Sequence, residues 1–161
     1  MASAGVGFAV LEVVRMERAL ARRESFARRV FSEEERAVCE AAPRPAEHYA
    51  ARLAARAAVC KALELGPEAG VRRHDVHVTQ GTDGRPQAKL AGVVAEAARA
   101  RGVTEIALSL SYTHEVATAM ALLVTEEVKP KQVKERDPER ELRASFRQAR
   151  TVLDELDRLQ A

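Results

Sequence analysis

The chain of 161 residues is poor in aromatic side chains, with two tyrosines, four phenylalanines and no tryptophan. Proteins that bind single-stranded nucleic acid stack bases on aromatic rings, so this scarcity argues against a nucleic-acid partner. No apolar run reaches the ~18 residues that cross a bilayer, and no charged and then apolar leader opens the chain. We therefore expect a cytoplasmic protein without membrane segments.

Cysteine is also scarce, since the chain has only Cys39 and Cys60. Both lie in alanine-rich helical stretches, where a buried structural thiol is expected rather than a disulfide or a nucleophile. Charge is abundant but balanced, because 26 basic and 24 acidic residues leave a formal net charge of +2. The total charge indicates no partner, so a charged partner has to be inferred from local clusters.

The chain does contain an alternation of short apolar runs and helical stretches. The run 5–14 predicts a buried strand, and the stretch 15–31 predicts a helix. Ser32 with Glu35 three residues later predicts a capping box at the start of a second helix. A long helix is predicted over 46–63.

The following residues predict a β-rich half. Strands are expected at 75–80, 86–92, 105–111 and 116–127, with one more helix over 93–102. Within 105–111, apolar and small polar residues alternate, which is typical of a half-buried strand. Helices and strands in this order predict a small α+β domain.

The composition changes after this domain, where residues 129–141 are almost all charged or proline. We predict a folded domain over 1–127, a charged linker over 128–137 and an amphipathic helix over 138–161. The helix is predicted from apolar residues at spacings of four and three: Leu142, Phe146, Ala149, Leu153 and Leu156. We expect its apolar stripe to pack either on its own domain or on a sister subunit or another protein.

Three segments match one enzyme family in order and spacing: GVGFAVLEV near the amino end, RVFSEEE with YAARLAARAAVCKAL in the middle, and SLSYTHEVATA near the carboxyl end. Together they resemble the holo-[acyl carrier protein] synthases, which are small 4'-phosphopantetheinyl transferases. The resemblance implies the 4'-phosphopantetheinyl transferase-like fold, a small antiparallel sheet packed with helices. It also implies a homotrimer with a site at each subunit boundary.

The resemblance implies a reaction as well. Enzymes of this family move the phosphopantetheine arm of coenzyme A to a serine of acyl carrier protein, with magnesium held by an aspartate and a glutamate. Here those two positions are Ala9 and Ala57, and the family's histidine position is Tyr112. An alanine cannot coordinate a cation, so we expect no retained catalytic residue and no bound magnesium.

Binding of coenzyme A without the metal remains an expectation. The resemblance assigns contacts with coenzyme A to five residues: Arg52, Arg56, Lys61, Ser111 and Tyr112. A guanidinium suits phosphate oxygens, whereas Glu64 would oppose binding by placing a carboxylate near the phosphates. Glu12 matches a family residue and is the surviving candidate for a weakly held metal.

A basic helix face follows the first strand. Four arginines share one face if the helix has no kink: Arg15, Arg18, Arg22 and Arg29. In the family that the chain resembles, this helix docks the acidic carrier protein, and the alternative is a solvated face paired with neighbouring glutamates. Two histidines, His74 and His77, are three residues apart, which on a strand sends them to opposite faces and excludes a joint metal site.

Three functions remain open at this point. The first is a catalytically degenerate synthase-like protein that still binds coenzyme A, acyl carrier protein or both, and the substitutions at Ala9, Ala57 and Tyr112 favour it. The second is an active transferase that holds its metal with Glu12 or Glu64. The third is a structural or interaction subunit that uses the C-terminal helix.

Overall fold

The computed structural model describes residues 5–128 and Phe146. The chain divides into two units, Met1–Lys129 and Pro130–Ala161. Phe146 is helical and its side chain is 67% exposed. The predicted linker and the rest of the predicted C-terminal helix lie outside the described residues and stay predictions.

The first unit contains five helices and five strands in its described part. Their order is β1 (Val6–Glu12), α1 (Val13–Arg22), α2 (Phe26–Val30), α3 (Glu33–Glu40), α4 (Pro45–Ala62), β2 (Val76–Gln80), β3 (Pro86–Leu90), α5 (Gly92–Ala100), β4 (Val103–Tyr112) and β5 (Val116–Thr125). A short 3-10 helix, Pro67–Ala69, follows α4. The predicted α+β class is confirmed, and each predicted strand is present within a few residues of its expected ends.

The five strands form one antiparallel sheet in the order β1-β5-β4-β3-β2. Helix α4 packs on one face of this sheet, where its alanines meet the alanines of β5 in the main core. Gly7 of β1 allows the close approach, because a Cβ there would lie 1.8 Å from the carbonyl oxygen of Ala58. Small side chains on both surfaces therefore set the distance between α4 and the sheet.

The opposite face of β1 and β5 is apolar and uncovered within the described chain. Its five residues are 38–58% exposed, and we call them the open sheet face: Val6, Phe8, Val10, Met120 and Leu122. The register places Val6 beside Leu122 and Phe8 beside Met120. Among the described residues, no helix has the length and apolar character needed to cross a bilayer.

The predicted capping box is confirmed, since the Glu35 amide donates to the Ser32 hydroxyl and the Ser32 amide donates to the Glu35 carboxylate. The prediction of one helical stretch over 15–31 is wrong. The chain leaves the helix after Arg22 and starts a second helix at Phe26. This break places the Phe31 ring against Tyr49 of α4, with 4.7 Å between the ring centroids.

Candidate functional site

Positions 9 and 57, where the resemblance implies metal ligands, lie on the wall of one cavity. Ala9 comes from β1 and Ala57 from α4, and the cavity has a volume of about 630 Å³. Helix α2, the turn before it and the segment before β2 close its other sides. We call this space the arginine cavity, because five arginines line it: Arg23, Arg29, Arg56, Arg72 and Arg73.

The lining of the arginine cavity does not fit a magnesium ion. Mg²⁺ binds oxygen ligands, most often carboxylates and water. The described residues that line the cavity are alanine, valine, leucine, phenylalanine, arginine and one cysteine, so no lining side chain carries an oxygen atom. Within the same part of the chain, no group of three His, Cys, Asp or Glu residues could hold a metal. The cavity is instead suited to an anion.

Arg56 is held by protein groups on the inner wall of this cavity. Its Nη1 donates to the carbonyl oxygens of Val30 at 2.5 Å and Arg73 at 3.1 Å, and its Nη2 donates to Glu35 Oε2 at 2.5 Å. Its guanidinium carbon lies 4.8 Å from the centroid of the Phe31 ring. Burial lowers the pKa of Arg56, and the nearby carboxylate of Glu35 opposes this effect. The guanidinium group that we expected to bind phosphate oxygens is therefore already hydrogen-bonded to protein groups. Only its Nε has no hydrogen-bond partner among the described residues.

Glu35 has a second role that sequence analysis missed. Besides capping α3, its carboxylate accepts hydrogen bonds from the Val78 amide at 3.0 Å and from Arg56. The residue is 1% exposed. The capping pattern reveals only the local bond, because the contacts with α4 and β2 require those elements to pack on α3.

The other four cavity arginines are exposed. In the described part of the chain, their side chains make no ion pair and no hydrogen bond: Arg23, Arg29, Arg72 and Arg73. Sequence analysis missed three of the four as site residues. The Arg72–Arg73 pair directly before a predicted strand is the signal that could have indicated them.

Arg52 and Tyr112 lie at a second cavity of about 300 Å³ between α4, β2 and β4. Arg52 is buried and its Nη1 lies 3.3 Å from the carbonyl oxygen of His48. The Tyr112 hydroxyl lies 3.3 Å from His48 Nε2, and the two ring centroids are 4.8 Å apart. Burial lowers the pKa of His48, and the positive charge of Arg52 lowers it further.

The remaining two residues predicted to contact coenzyme A line neither cavity. Lys61 is exposed and its Nζ donates to the carbonyl oxygen of Phe8 at 3.0 Å. Ser111 is exposed on β4, next to Tyr112. Within one chain, the five predicted contacts with coenzyme A therefore do not converge on one site.

Neither carboxylate that could have replaced the missing metal ligands reaches the arginine cavity. Glu12 lies three residues after Ala9 on β1, so the two side chains point to opposite faces of the sheet. Glu64 accepts a hydrogen bond from Arg101 Nη2 at 2.7 Å, away from the cavity lining. Neither Glu12 nor Glu64 is therefore part of the described lining of this cavity, and their expected positions beside a metal and the phosphates stay predictions.

The four predicted docking arginines are divided between two helices. Arg15, Arg18 and Arg22 are exposed on α1, whereas Arg29 lies on α2 after the break. The expectation of one shared helical face is therefore wrong for Arg29, which lines the arginine cavity instead. The docking role of the α1 arginines stays a prediction.

Two further contacts involve histidines, one between His74 and His77 and one between His114 and Glu47. His74 lies in the turn before β2, and its ring stacks on His77 with 5.8 Å between centroids, so the prediction of opposite faces is wrong for this pair. His114, in the turn after β4, has its Nδ1 2.6 Å from Glu47 Oε1. This contact lowers the pKa of Glu47.

Comparison with known proteins agrees with the sequence resemblance. A profile of the 4'-phosphopantetheinyl transferase superfamily matches residues 5–119. The holo-[acyl-carrier-protein] synthase of Anaeromyxobacter dehalogenans (strain 2CP-C) is 46% identical over 123 residues, covering 74% of this chain and 94% of that protein. The synthase of Salinispora arenicola is 44% identical over 117 residues, covering 73% of this chain and 94% of that protein.

Solved structures of the same kind share the fold. The holo-[acyl-carrier-protein] synthase of Neisseria meningitidis has a TM-score of 0.66 at 22% identity, covering 75% of this chain and 98% of that chain. The ACPS-CoA complex of Chronobacterium ammoniagenes has a TM-score of 0.63 at 29% identity, covering 77% of this chain and 98% of that chain. With its fold and more than half of its sequence matched, the chain belongs to the holo-[acyl-carrier-protein] synthase family.

Proposed function

We propose that this protein is a non-catalytic member of its family, which binds coenzyme A and acyl carrier protein without transferring the phosphopantetheine arm. The observation that carries the proposal is the wall of the arginine cavity. There Ala9 and Ala57 present methyl groups at the two positions where the resemblance implies metal-binding carboxylates. Tyr112 also removes the family's histidine, the side chain whose protonation changes near neutral pH.

The expected loss of rate is large. A metal ion contributes several kcal/mol of charge stabilisation in the transition state of such a transfer. At 1.36 kcal/mol for each factor of ten, its loss slows the reaction roughly a thousandfold or more. Binding does not require this contribution, so binding and catalysis separate in this chain.

Two features support retained binding. The exposed arginines around the cavity suit the phosphates of coenzyme A, which is the ligand named in the Chronobacterium ammoniagenes complex. The α1 arginines Arg15, Arg18 and Arg22 present positive charge to solvent, which complements an acidic carrier protein.

The open sheet face supports assembly of this protein into a homotrimer. Monomeric proteins seldom expose a continuous apolar patch built from neighbouring residues such as Phe8 and Met120. Closed symmetric assembly would cover this patch on every subunit. It would also place groups of one subunit near the cavities of the next, as the family resemblance implies.

The test of the proposed function is a transfer assay. The purified full-length chain is incubated with apo-acyl carrier protein, coenzyme A and magnesium, and the mass of the carrier is followed. The Anaeromyxobacter dehalogenans synthase serves as the positive control. We expect full modification by the control and none by this chain, with calorimetry showing that coenzyme A and the carrier still bind. Modification at a rate comparable to the control contradicts the proposal.

An active transferase is the alternative, favoured by 46% identity to a relative named as a synthase. The triple variant Ala9→Asp, Ala57→Glu, Tyr112→His separates the two functions. If the natural chain is inactive because of these positions, the variant gains magnesium-dependent transfer. If the natural chain is already active through other ligands, the variant gains little and the alternative holds.

A further inference from the structure

We propose that the arginine cavity binds a diphosphate ester without a divalent cation, so that magnesium does not strengthen binding and instead weakens it. The proposal deepens the proposed function, because it names the ligand class of the same site. It arises from a disagreement: the resemblance implies a magnesium ion between carboxylates, and the described lining contains no side-chain oxygen at all.

The charges around the arginine cavity favour an anionic ligand. Four exposed guanidinium groups line a space of about 630 Å³, and the described lining contains no acidic residue. Like charges around a shared concave surface repel one another, and an anion that enters relieves the repulsion. Elsewhere in the domain a comparable arginine is neutralised by the protein, since Arg101 pairs with Glu64 at 2.7 Å.

The positions of the exposed cavity arginines favour a ligand with two phosphate groups. The arginines come from three segments: Arg23 precedes α2, Arg29 lies on it, and Arg72 with Arg73 precedes β2. Donors on separate sides suit an anion with two phosphate groups, because each guanidinium can bind a pair of oxygens. Arg56 also lines the cavity, and its buried Nε has no hydrogen-bond partner among the described residues.

The apolar part of the cavity lining favours a ligand with an organic group. Apolar side chains such as Leu11, Phe26 and Leu53 form the rest of the lining, and the volume lies in the range of small-molecule sites. An inorganic ion alone would leave this apolar wall unused. An ester of diphosphate, with an organic group attached, uses both parts of the cavity.

The effect of magnesium follows from the charges. Where carboxylates and a diphosphate face each other, a cation is needed between two groups of negative charge. Here the groups that face the diphosphate are positive, so magnesium bound to the ligand cancels the attraction to arginine. The sign of the magnesium effect is therefore opposite to that of a metal-dependent site.

The test is titration calorimetry of the full chain with coenzyme A, in EDTA and in magnesium chloride at matched ionic strength, with inorganic diphosphate as a second probe. We expect binding in EDTA and weaker binding in magnesium. Arg29→Gln and Arg72→Gln are each expected to weaken binding roughly tenfold, which corresponds to about 1.4 kcal/mol. Arg99→Gln, on the exposed surface of α5, is the matched control and is expected to bind like the natural chain.

The double variant Ala9→Asp, Ala57→Glu is titrated in the same way. It is expected to bind coenzyme A more weakly than the natural chain in EDTA and more strongly in magnesium. Because Ala9 is buried, Ala57→Glu alone at an exposed position is the second variant, with the same change of sign. The proposal is overturned if the natural chain binds coenzyme A as tightly in magnesium as in EDTA or more tightly, if Arg29→Gln and Arg72→Gln bind like Arg99→Gln, or if neither probe binds. Transfer of phosphopantetheine to the carrier contradicts the proposed function instead, so the two failures are distinguishable.

Discussion

Arg56 and Glu35 form a buried ion pair in which Nη2 donates to Oε2 at 2.5 Å. The same guanidinium donates to two backbone carbonyl oxygens, and the same carboxylate accepts from the Val78 amide. These bonds join α3, α4, β2 and the end of α2. Arg56, which the resemblance assigns to coenzyme A, is therefore used by this chain to hold its elements together.

The first prediction concerns this pair. Arg56→Met is expected to lower the free energy of unfolding by about 3–5 kcal/mol, because it leaves the Glu35 carboxylate buried without its countercharge. Urea unfolding of the purified chain measures the change. In the double variant Arg56→Met, Glu35→Gln, the loss of unfolding free energy is expected to be smaller than the sum of the losses in the two single variants, because no unpaired charge remains.

Glu34→Gln is the matched control for that experiment. Glu34 is the neighbouring residue, is exposed, and lies 3.8 Å from Lys89. Glu34→Gln is expected to change the free energy of unfolding by no more than about 0.5 kcal/mol, as most surface substitutions do. An equal loss in Glu34→Gln and Arg56→Met would show that the buried pair has no special contribution.

The second prediction concerns pH. Burial and Arg52 lower the pKa of His48 below its ordinary value of 6.5. As the pH falls through 6.5, His48 becomes protonated in the unfolded chain but stays neutral in the folded chain. Proton binding therefore favours the unfolded state, and the stability that a neutral His48 allows above this pH is lost below it. From about pH 8 to about pH 5, His48→Gln is expected to lose less stability than the natural chain.

Urea unfolding at both pH values measures this difference. His74→Gln is the control, because it removes an exposed histidine that has no contact with Tyr112. If His48→Gln and the natural chain lose equal stability on acidification, His48 has no part in the pH dependence.

The third prediction concerns the two thiols. Cys39 is fully buried, and burial raises its pKa to about 11. Cys60 lines the arginine cavity, and burial together with the charge of Asp75 raises its pKa as well. Iodoacetamide is therefore expected to label Cys60 slowly, faster at higher pH, and to label Cys39 only after unfolding.

Coenzyme A is expected to slow the labelling of Cys60, because the ligand fills the cavity that gives access to the thiol. Mass analysis of the peptides over time measures both rates. Labelling of Cys60 at an unchanged rate, under conditions where calorimetry shows coenzyme A bound, would place the ligand elsewhere.

The fourth prediction concerns the open sheet face. Phe8→Lys is expected to dissociate the proposed homotrimer into monomers, because it places a charge in an apolar patch that the neighbouring subunits would bury. Sedimentation velocity measures the assembly state. Val38→Lys on α3 is the control at another exposed apolar residue and is expected to leave the assembly intact. A natural chain that sediments as a monomer contradicts the assembly itself.

Much of the fold is encoded in local patterns. The capping box at Ser32 is confirmed because both of its hydrogen bonds join residues three positions apart. The strand around Ile106, Leu108 and Leu110 is present because the alternation of side chains matches the two-residue period of a strand. The break after Arg22 has no such local signal, and the Phe31 ring that follows it packs against Tyr49 of α4, which is distant in the sequence.

The sequence by itself determined that Ala9 and Ala57 are not metal ligands, because a methyl group has no lone pair whatever its surroundings. Only the tertiary structure decided which positive groups surround them. Arg56 is the guanidinium nearest in sequence to Ala57, yet a buried carboxylate 21 residues away engages it. Arg29 and Arg72 present exposed guanidinium groups to the same cavity because chain folding, and not spacing, determines which distant charges share one space.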